Sequence, residues 1–349
     1  MSGVFKIIEP GLQTTVQDGG RYGFQRFGVP VSGAMDQESL KLANALVGSA
    51  PSAPALEMRY AGLELEVVDG AVRVALTGTN AKMSVSLADW EQPITIEAYR
   101  SVTLQAGARL KCRNLGERAN AYLAIAGELD LDTVMNSFAT YLRGGFGGVS
   151  GRALRTDDVL RTTAGDSVGP DRQGGWPILP SDNGPIRVVL GPQSDFFSDD
   201  AIQRFLAAPW TISKDTDRMG MRLEGPKLEH AKGFNITSDG IATGAIQVPG
   251  SGQPIILLAD RQTAGGYPKI ATVASVDLPR LGRAMTGGTM TFVTVTVEEA
   301  QGLRRTREAE LNCWIDGLEP VRETGQIDVD ALYRENLITG AVAADERDP

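Results

Sequence analysis

The chain has 349 residues, 42% of them hydrophobic and 22% charged, the balance of a folded globular protein; wholesale disorder and a collagen-like chain are excluded. A formal net charge of −9 without any long basic run makes nucleic acid and anionic membranes poor partners. No window approaches the roughly 18 uninterrupted apolar residues of a membrane span. Residues 1–10 carry no basic region followed by an apolar stretch. The expectation is a cytoplasmic protein with no secretory signal.

The 41 glycines, set against 6% aromatic residues, favour many short strands joined by tight turns. In chain order, period-two or buried runs fall at 4–9, 63–68, 72–77, 101–104, 121–126, 186–190, 255–259, 270–274 and 291–297. Three stretches read as helices. The first covers 36–47, with Leu40, Ala43 and Val47 on one face, Asp36 as N-cap and Gly48 as the stop. The second covers 199–206 behind Ser198, and the third begins near Glu298 and reaches Trp314. The architecture expected from the residues is mostly β and barrel-like.

Segment 172–185, RQGGWPILPSDNGP, interrupts the strand pattern and is the best internal boundary. It leaves an N-terminal β-barrel-like domain at 1–175, a C-terminal domain at 186–297 and a charged helical tail at 298–349. The tail includes a further helical stretch at 328–344 and a frayed end at 345–349.

The chemistry available is limited. Cys112 and Cys313 are far apart and lack CxxC spacing, so neither a disulfide framework nor a zinc knuckle is expected. His230 is the single histidine, which rules out a His-based metal triad within the chain, and it reads as an ordinary surface residue. No metal site is expected. The phosphate-loop, GxSxG and HExxH fingerprints are absent. Carboxylates, lysine, arginine, hydroxyls, amides and backbone donors remain.

Four glycine-dense polar segments are the candidates. In QDGGRYG at 17–23, Asp18 and Arg21 could pair in a turn, with Arg21 also able to fork onto a carboxylate or phosphate. In RGGFGGVSGR at 143–152, five glycines permit left-handed backbone, and their N–H groups between Arg143 and Arg152 could form an anion nest; a barrel corner is the plain alternative. In DTDRMGMRLEG at 215–225, acids and bases alternate as in a self-paired hairpin, with Arg218 and Arg222 expected on one strand face. The fourth segment, 238–269, runs an apolar strand at 255–259 into Asp260, Arg261, Gln262 and Thr263, then Gly-Gly, Tyr267 and Lys269, with Gln247 and Gln253 adding amides. A structural turn needs no such collection, so this segment reads as functional.

Taken together these segments resemble the KipA-like family, also called the allophanate hydrolase subunit 2 or biotin-dependent carboxyltransferase family, which includes a 5-oxoprolinase subunit. The resemblance rests on EPGLQTTVQDGGRYG at 9–23, GVPVSGAMD at 28–36, LANALVG at 42–48, AYLAIAGELD, RGGFGGVSGRAL, GPQSDFF, DRMGMRLEGP and ASVDLPRLGRA. The longest matching run is SDGIATGAIQVPGSGQPIILLADRQTAGGYPKIATV at 238–273. The match covers roughly residues 4–297, and ENLITGAV is similar to the family's tail. Departures include NSFATY at 136–141, TDD at 156–158 and Thr79-Asn80 in place of an Ala-Asp pair, so no carboxylate role carries over to Asn80.

The resemblance implies two cyclophilin-like β-barrel modules with few helices and a helical C-terminal tail. It implies a subunit of an ATP-dependent 5-oxoprolinase, a lactam-opening amidohydrolase inactive alone, working with KipI-like and LamB-like partners on a small amide substrate. ATP would sit on this chain or on a partner, with Mg2+ admitted beside it. The family also holds the carboxyltransferase part of urea carboxylase and a regulatory protein that binds a KipI-like kinase inhibitor. This chain has no Met-Lys-Met triplet and so carries no biotin itself.

Lactam opening by way of a phosphorylated carbonyl needs fixed positive charge, oxyanion donors and a carboxylate to orient water. On this chemistry Arg143 and Arg152 are expected to serve the phosphates, and Asp239, Asp260 and Lys269 are the catalytic candidates. Gln247, Gln262, Thr263 and Tyr267 are expected to hold the substrate, with Asp18, Arg21 and Arg218 as further polar candidates.

Overall fold

The computed structural model describes residues 2–88, 91–163, 169–177 and 184–321. The expected helical stretch at 328–344 lies outside the described residues. Among the described residues the protein is mostly β, with two large sheets that divide the sequence between them.

The first sheet draws eleven strands from residues 3–163. Its backbone is the long strand Glu64–Thr77, where two runs were expected from the sequence at 63–68 and 72–77. The runs are continuous because the chain bends without leaving the sheet: exposed Gly70 takes φ +68 between Asp69 and Ala71. The first half of this strand pairs with Gly3–Glu9 and the second with Ser101–Gln105 and Asn120–Ile125. Phe5, Ile7, Leu65, Val74, Leu110 and Leu123 are fully buried between its faces.

The second sheet has eight strands from residues 186–294. Its two end strands in the pairing order are Thr289–Met290 and Phe292–Thr294, separated in the chain only by Thr291, so the sheet curls into a nearly closed barrel. Phe205, Trp210, Ile246, Ile256 and Ile270 fill it.

Three helices form where the sequence placed them. In α1 (Gln37–Val47), Asp36 accepts from Glu38 N at 3.1 Å and Ser39 N at 3.0 Å, and Gly48 ends the helix at φ +81. Ser198 caps α2 (Asp199–Ala207). A fourth helix, α3 (Leu278–Arg283), was not expected; six residues with an internal Pro and Gly carry no helical period. The expected long C-terminal helix is α4 (Val297–Asp316), started by a Thr296–Glu299 capping box. It docks on α1, where Arg307 forks onto Glu38 at 3.0 and 3.1 Å.

The seam between the sheets is polar and buried. Ser32 N donates to Ala259 O, Ala119 N to Arg283 O, and Arg59 Nη2 to Thr216 O, each at 3.0 Å. Across it Arg218 joins Glu57 of one sheet to Asp260 of the other, and Arg283 of α3 reaches Asp36 at 2.6 Å. Gly282 lets α3 approach this closely, because a Cβ there would stand 2.6 Å from Met35 O. No described helix is long and apolar enough to cross a membrane.

Candidate functional site

The fourth polar segment folds into a small two-stranded ladder on the second sheet. Asp239 and Gly240 pair antiparallel with Gly265 and Ala264. The apolar strand Ile255–Leu257 leads into the 260–263 turn, and Lys269 opens the strand Lys269–Val273 beyond the ladder. The consequence is a cluster built from three separated stretches.

At its centre Lys269 Nζ donates to Asp239 Oδ2 at 2.9 Å. The lysine is buried, whereas Asp239 lies open to solvent. The Asp239 carboxyl is held below its ordinary range chiefly by the Lys269 hydrogen bond, then by the Gly240 N–H, with a further bond from Gln193. Gln193 accepts from Lys269 N through Oε1 at 3.2 Å, which places its amide beside the pair. Lysine carries three donors, and the described residues claim one of those on Nζ.

Gln247 is buried and donates weakly to Tyr267 O at 3.5 Å. Gly265 keeps open the space beside it: a Cβ there would lie 2.8 Å from Gln247 Nε2 and 3.2 Å from Gln262 Nε2. Two amide nitrogens therefore converge on a residue without a side chain. Thr263 contributes its carbonyl to Ile241 N, and the Tyr267 ring is 40% exposed at the rim. The structure thus brings together Asp239, Gln247, Gln262, Thr263, Tyr267 and Lys269, and adds Gln193, which sequence reasoning did not select. The signal for Gln193 was its place in GPQSDFF, a segment used only for the resemblance.

The remaining candidates lie elsewhere. Asp260 turns inward, where both carboxylate oxygens meet Arg218, at 2.9 and 3.3 Å. Arg218 also binds Glu57 and Gly33 O, and the opposed carboxylates keep its guanidinium charged in spite of burial. It precedes the strand Gly220–Glu224, so it does not share a strand face with exposed Arg222; long-range carboxylates draw it inward. Asp18 is saturated by Gly20 N, Ser137 Oγ and Phe138 N. It makes no ion pair with Arg21, which donates instead to Val134 O and Ala139 O at 3.0 and 2.7 Å and lies 4.9 Å from the Phe146 ring centre. His230 is half-buried, with Nε2 on Val248 O at 2.9 Å and its ring against Phe197.

The glycine loop does take left-handed backbone, at Gly145, Gly147, Gly148 and Gly151. Its N–H groups turn inward, however: Gly145, Gly148 and Gly151 donate to Tyr141 O, Phe138 O and Gly147 O. Arg152 forks onto Asp158 at 2.7 and 2.8 Å, and Arg143 pairs with Asp217 at 3.0 Å. The cavity beside the loop, about 570 Å³, is also lined by Asp130 and Asp132. Acids on the wall and neutralised arginines do not suit a polyphosphate.

Fold and site define a two-sheet β protein that carries a lysine–carboxylate pair among glutamine amides. Residues 27–294 match the family described as carboxyltransferase domain, subdomain A and B, and the chain belongs to that family. It is 35% identical to a 5-oxoprolinase subunit of Escherichia coli (strain K12) over 308 residues, 87% of this chain and 96% of that protein. It is 31% identical to urea amidolyase of Lachancea kluyveri over 337 residues, 90% of this chain but 18% of that one. In three dimensions it is similar to the Kluyveromyces lactis urea carboxylase, with a TM-score of 0.81 and 29% identity over 90% of this chain and 29% of that chain.

Proposed function

We propose that this chain is a subunit of an ATP-dependent 5-oxoprolinase, opening the lactam of 5-oxoproline together with KipI-like and LamB-like partners and inactive without them. The observation that carries the reading is the Lys269–Asp239 pair, a buried ammonium with donors to spare beside an exposed carboxylate. Lys269 would polarise the lactam oxygen as charge builds on it, and Asp239 would orient the attacking water. The convergent amides of Gln247 and Gln262 suit an amide edge, which offers a donor and an acceptor side by side. The likeness to the Escherichia coli 5-oxoprolinase subunit over nearly the whole of that protein supports the same reading.

ATP belongs on a partner in this account, since the loop expected to hold its phosphates has its arginines paired and acids on its wall. The test is phosphate release from ATP by the purified complex of this chain with both partners, in the presence and absence of 5-oxoproline. Stimulated release that vanishes when this chain is omitted supports the proposal; unchanged release overturns it.

A second reading, transfer of a carboxyl group from carboxybiotin, is favoured by the structural similarity to urea carboxylase. It requires a separate biotin carrier and predicts activity that depends on that carrier and is indifferent to 5-oxoproline.

A further inference from the structure

The segment that builds the site carries a second buried cation that the proposed chemistry has not used. Arg261 is 3% exposed and follows Asp260 in the turn that leads to the amide cluster. Its Nε donates to Ile241 O at 3.1 Å and its Nη1 to Leu258 O at 3.5 Å. No carboxylate of the described residues lies within ion-pair distance, and Nη2 has no partner there although it is not sealed from solvent. Burial pulls it below the ordinary arginine value, with only Tyr22 opposing, and the guanidinium stays charged.

This sets Arg261 apart from the arginines first considered. Arg143, Arg152 and Arg218 each have a carboxylate from the chain itself. Arg21 has none, but its free Nη1 is closed off inside the protein. A buried guanidinium without an internal counter-ion, and with a donor left open, is a binding site for an external oxyanion.

Its position fits the same ligand. Arg261 is fastened to the carbonyl of Ile241 and Lys269 to the carboxylate of Asp239, two residues apart in the chain. Both cations are thus held by the same short stretch of chain, whose Cα atoms at Asp239 and Ile241 are no more than about 7 Å apart.

We infer that Arg261 binds the carboxylate of the ligand, so that the site selects small cyclic carboxylates over neutral amides. The inference rests on the lactam reading for the identity of the amide end, but its own content is the preference for a carboxylate.

The experiment compares 5-oxoproline with 2-pyrrolidinone, the same lactam without the carboxylate. Calorimetric binding to the purified chain and turnover by the full complex are measured for the wild type, Arg261→Gln and Arg261→Lys. The wild type is expected to prefer 5-oxoproline. Arg261→Gln should weaken 5-oxoproline by about 10–100-fold, chiefly in KM, and leave 2-pyrrolidinone unchanged, the scale of one charged hydrogen-bonded contact. Arg261→Lys should retain part of the preference, and it serves as the folded comparison if the glutamine variant melts early. Equal losses for both ligands, or no change in the preference, overturn the inference. Binding that prefers the carboxylate in a complex that never turns over 5-oxoproline would sink the lactam reading and leave the anchor standing. A wild-type chain that binds both ligands equally would sink the anchor alone.

Discussion

Lys269 and Asp239 meet at 2.9 Å across a steep change in exposure, the lysine side chain at 3% and the aspartate at 55%. The charge of the interior is thereby delivered to the rim, and the rim carboxylate is tuned by a partner it could not otherwise contact. In Lys269→Met the Asp239 carboxyl should climb back toward the ordinary aspartate value of about 3.9. Carboxyl carbon NMR across an acid titration reads this directly, and an unmoved Asp239 signal would show that the pair does not set it.

Arg218 neutralises two buried carboxylates from different sheets, Glu57 and Asp260. Arg218→Met leaves both without their cation in a water-poor seam. The expected loss is about 3–5 kcal/mol of stability in urea unfolding. A loss below about 1 kcal/mol would mean that the seam relaxes or admits water.

Asp158 is held below the usual aspartate range, first by the hydrogen bonds from Arg152. A depressed carboxylate contributes stability that is fully present above its unfolded pKa and is lost as the pH falls through its folded one. Asp158→Asn should therefore lower the unfolding midpoint at pH 6 and make progressively less difference as the pH drops below about 3.9. A constant gap at every pH would contradict the assignment.

The two cysteines should separate cleanly. Burial pushes the Cys112 thiol up to about 11, while Cys313 is exposed on α4. With a thiol reagent at pH 8 one group per native chain should react quickly and the second only after unfolding. Two fast thiols would show that the core around Cys112 opens readily.

Local features of the chain were legible where local physics decides them. Asp36 and Gly48 bracket α1 as their chemistry dictates, and the glycine content with short period-two runs announced a β architecture. The strand Ala55–Arg59 was missed because Glu57 and Arg59 look like solvent-facing residues, whereas both are buried by partners beyond the strand. Asp260 shows the same limit within the site. It sits at the end of an apolar strand, as a catalytic carboxylate should, yet Arg218, 42 positions away, turns it inward. Lys269, Asp239 and the glutamines were legible as an excess of polar residues that a plain turn does not require. Arg261 stood in the same stretch, but its lack of a counter-ion is a property of three-dimensional packing alone.

If Lys269 acts on the substrate, the most direct measurement is 5-oxoproline-dependent glutamate formation by the complex assembled with Lys269→Met. The complex should still form, as judged by co-elution of this chain with the proposed KipI-like and LamB-like partners. Turnover should fall by at least about a hundredfold, the effect of removing a charge that stabilises a developing oxyanion. Turnover within a few-fold of the wild type in an intact complex would contradict this role and move the chemistry to another subunit.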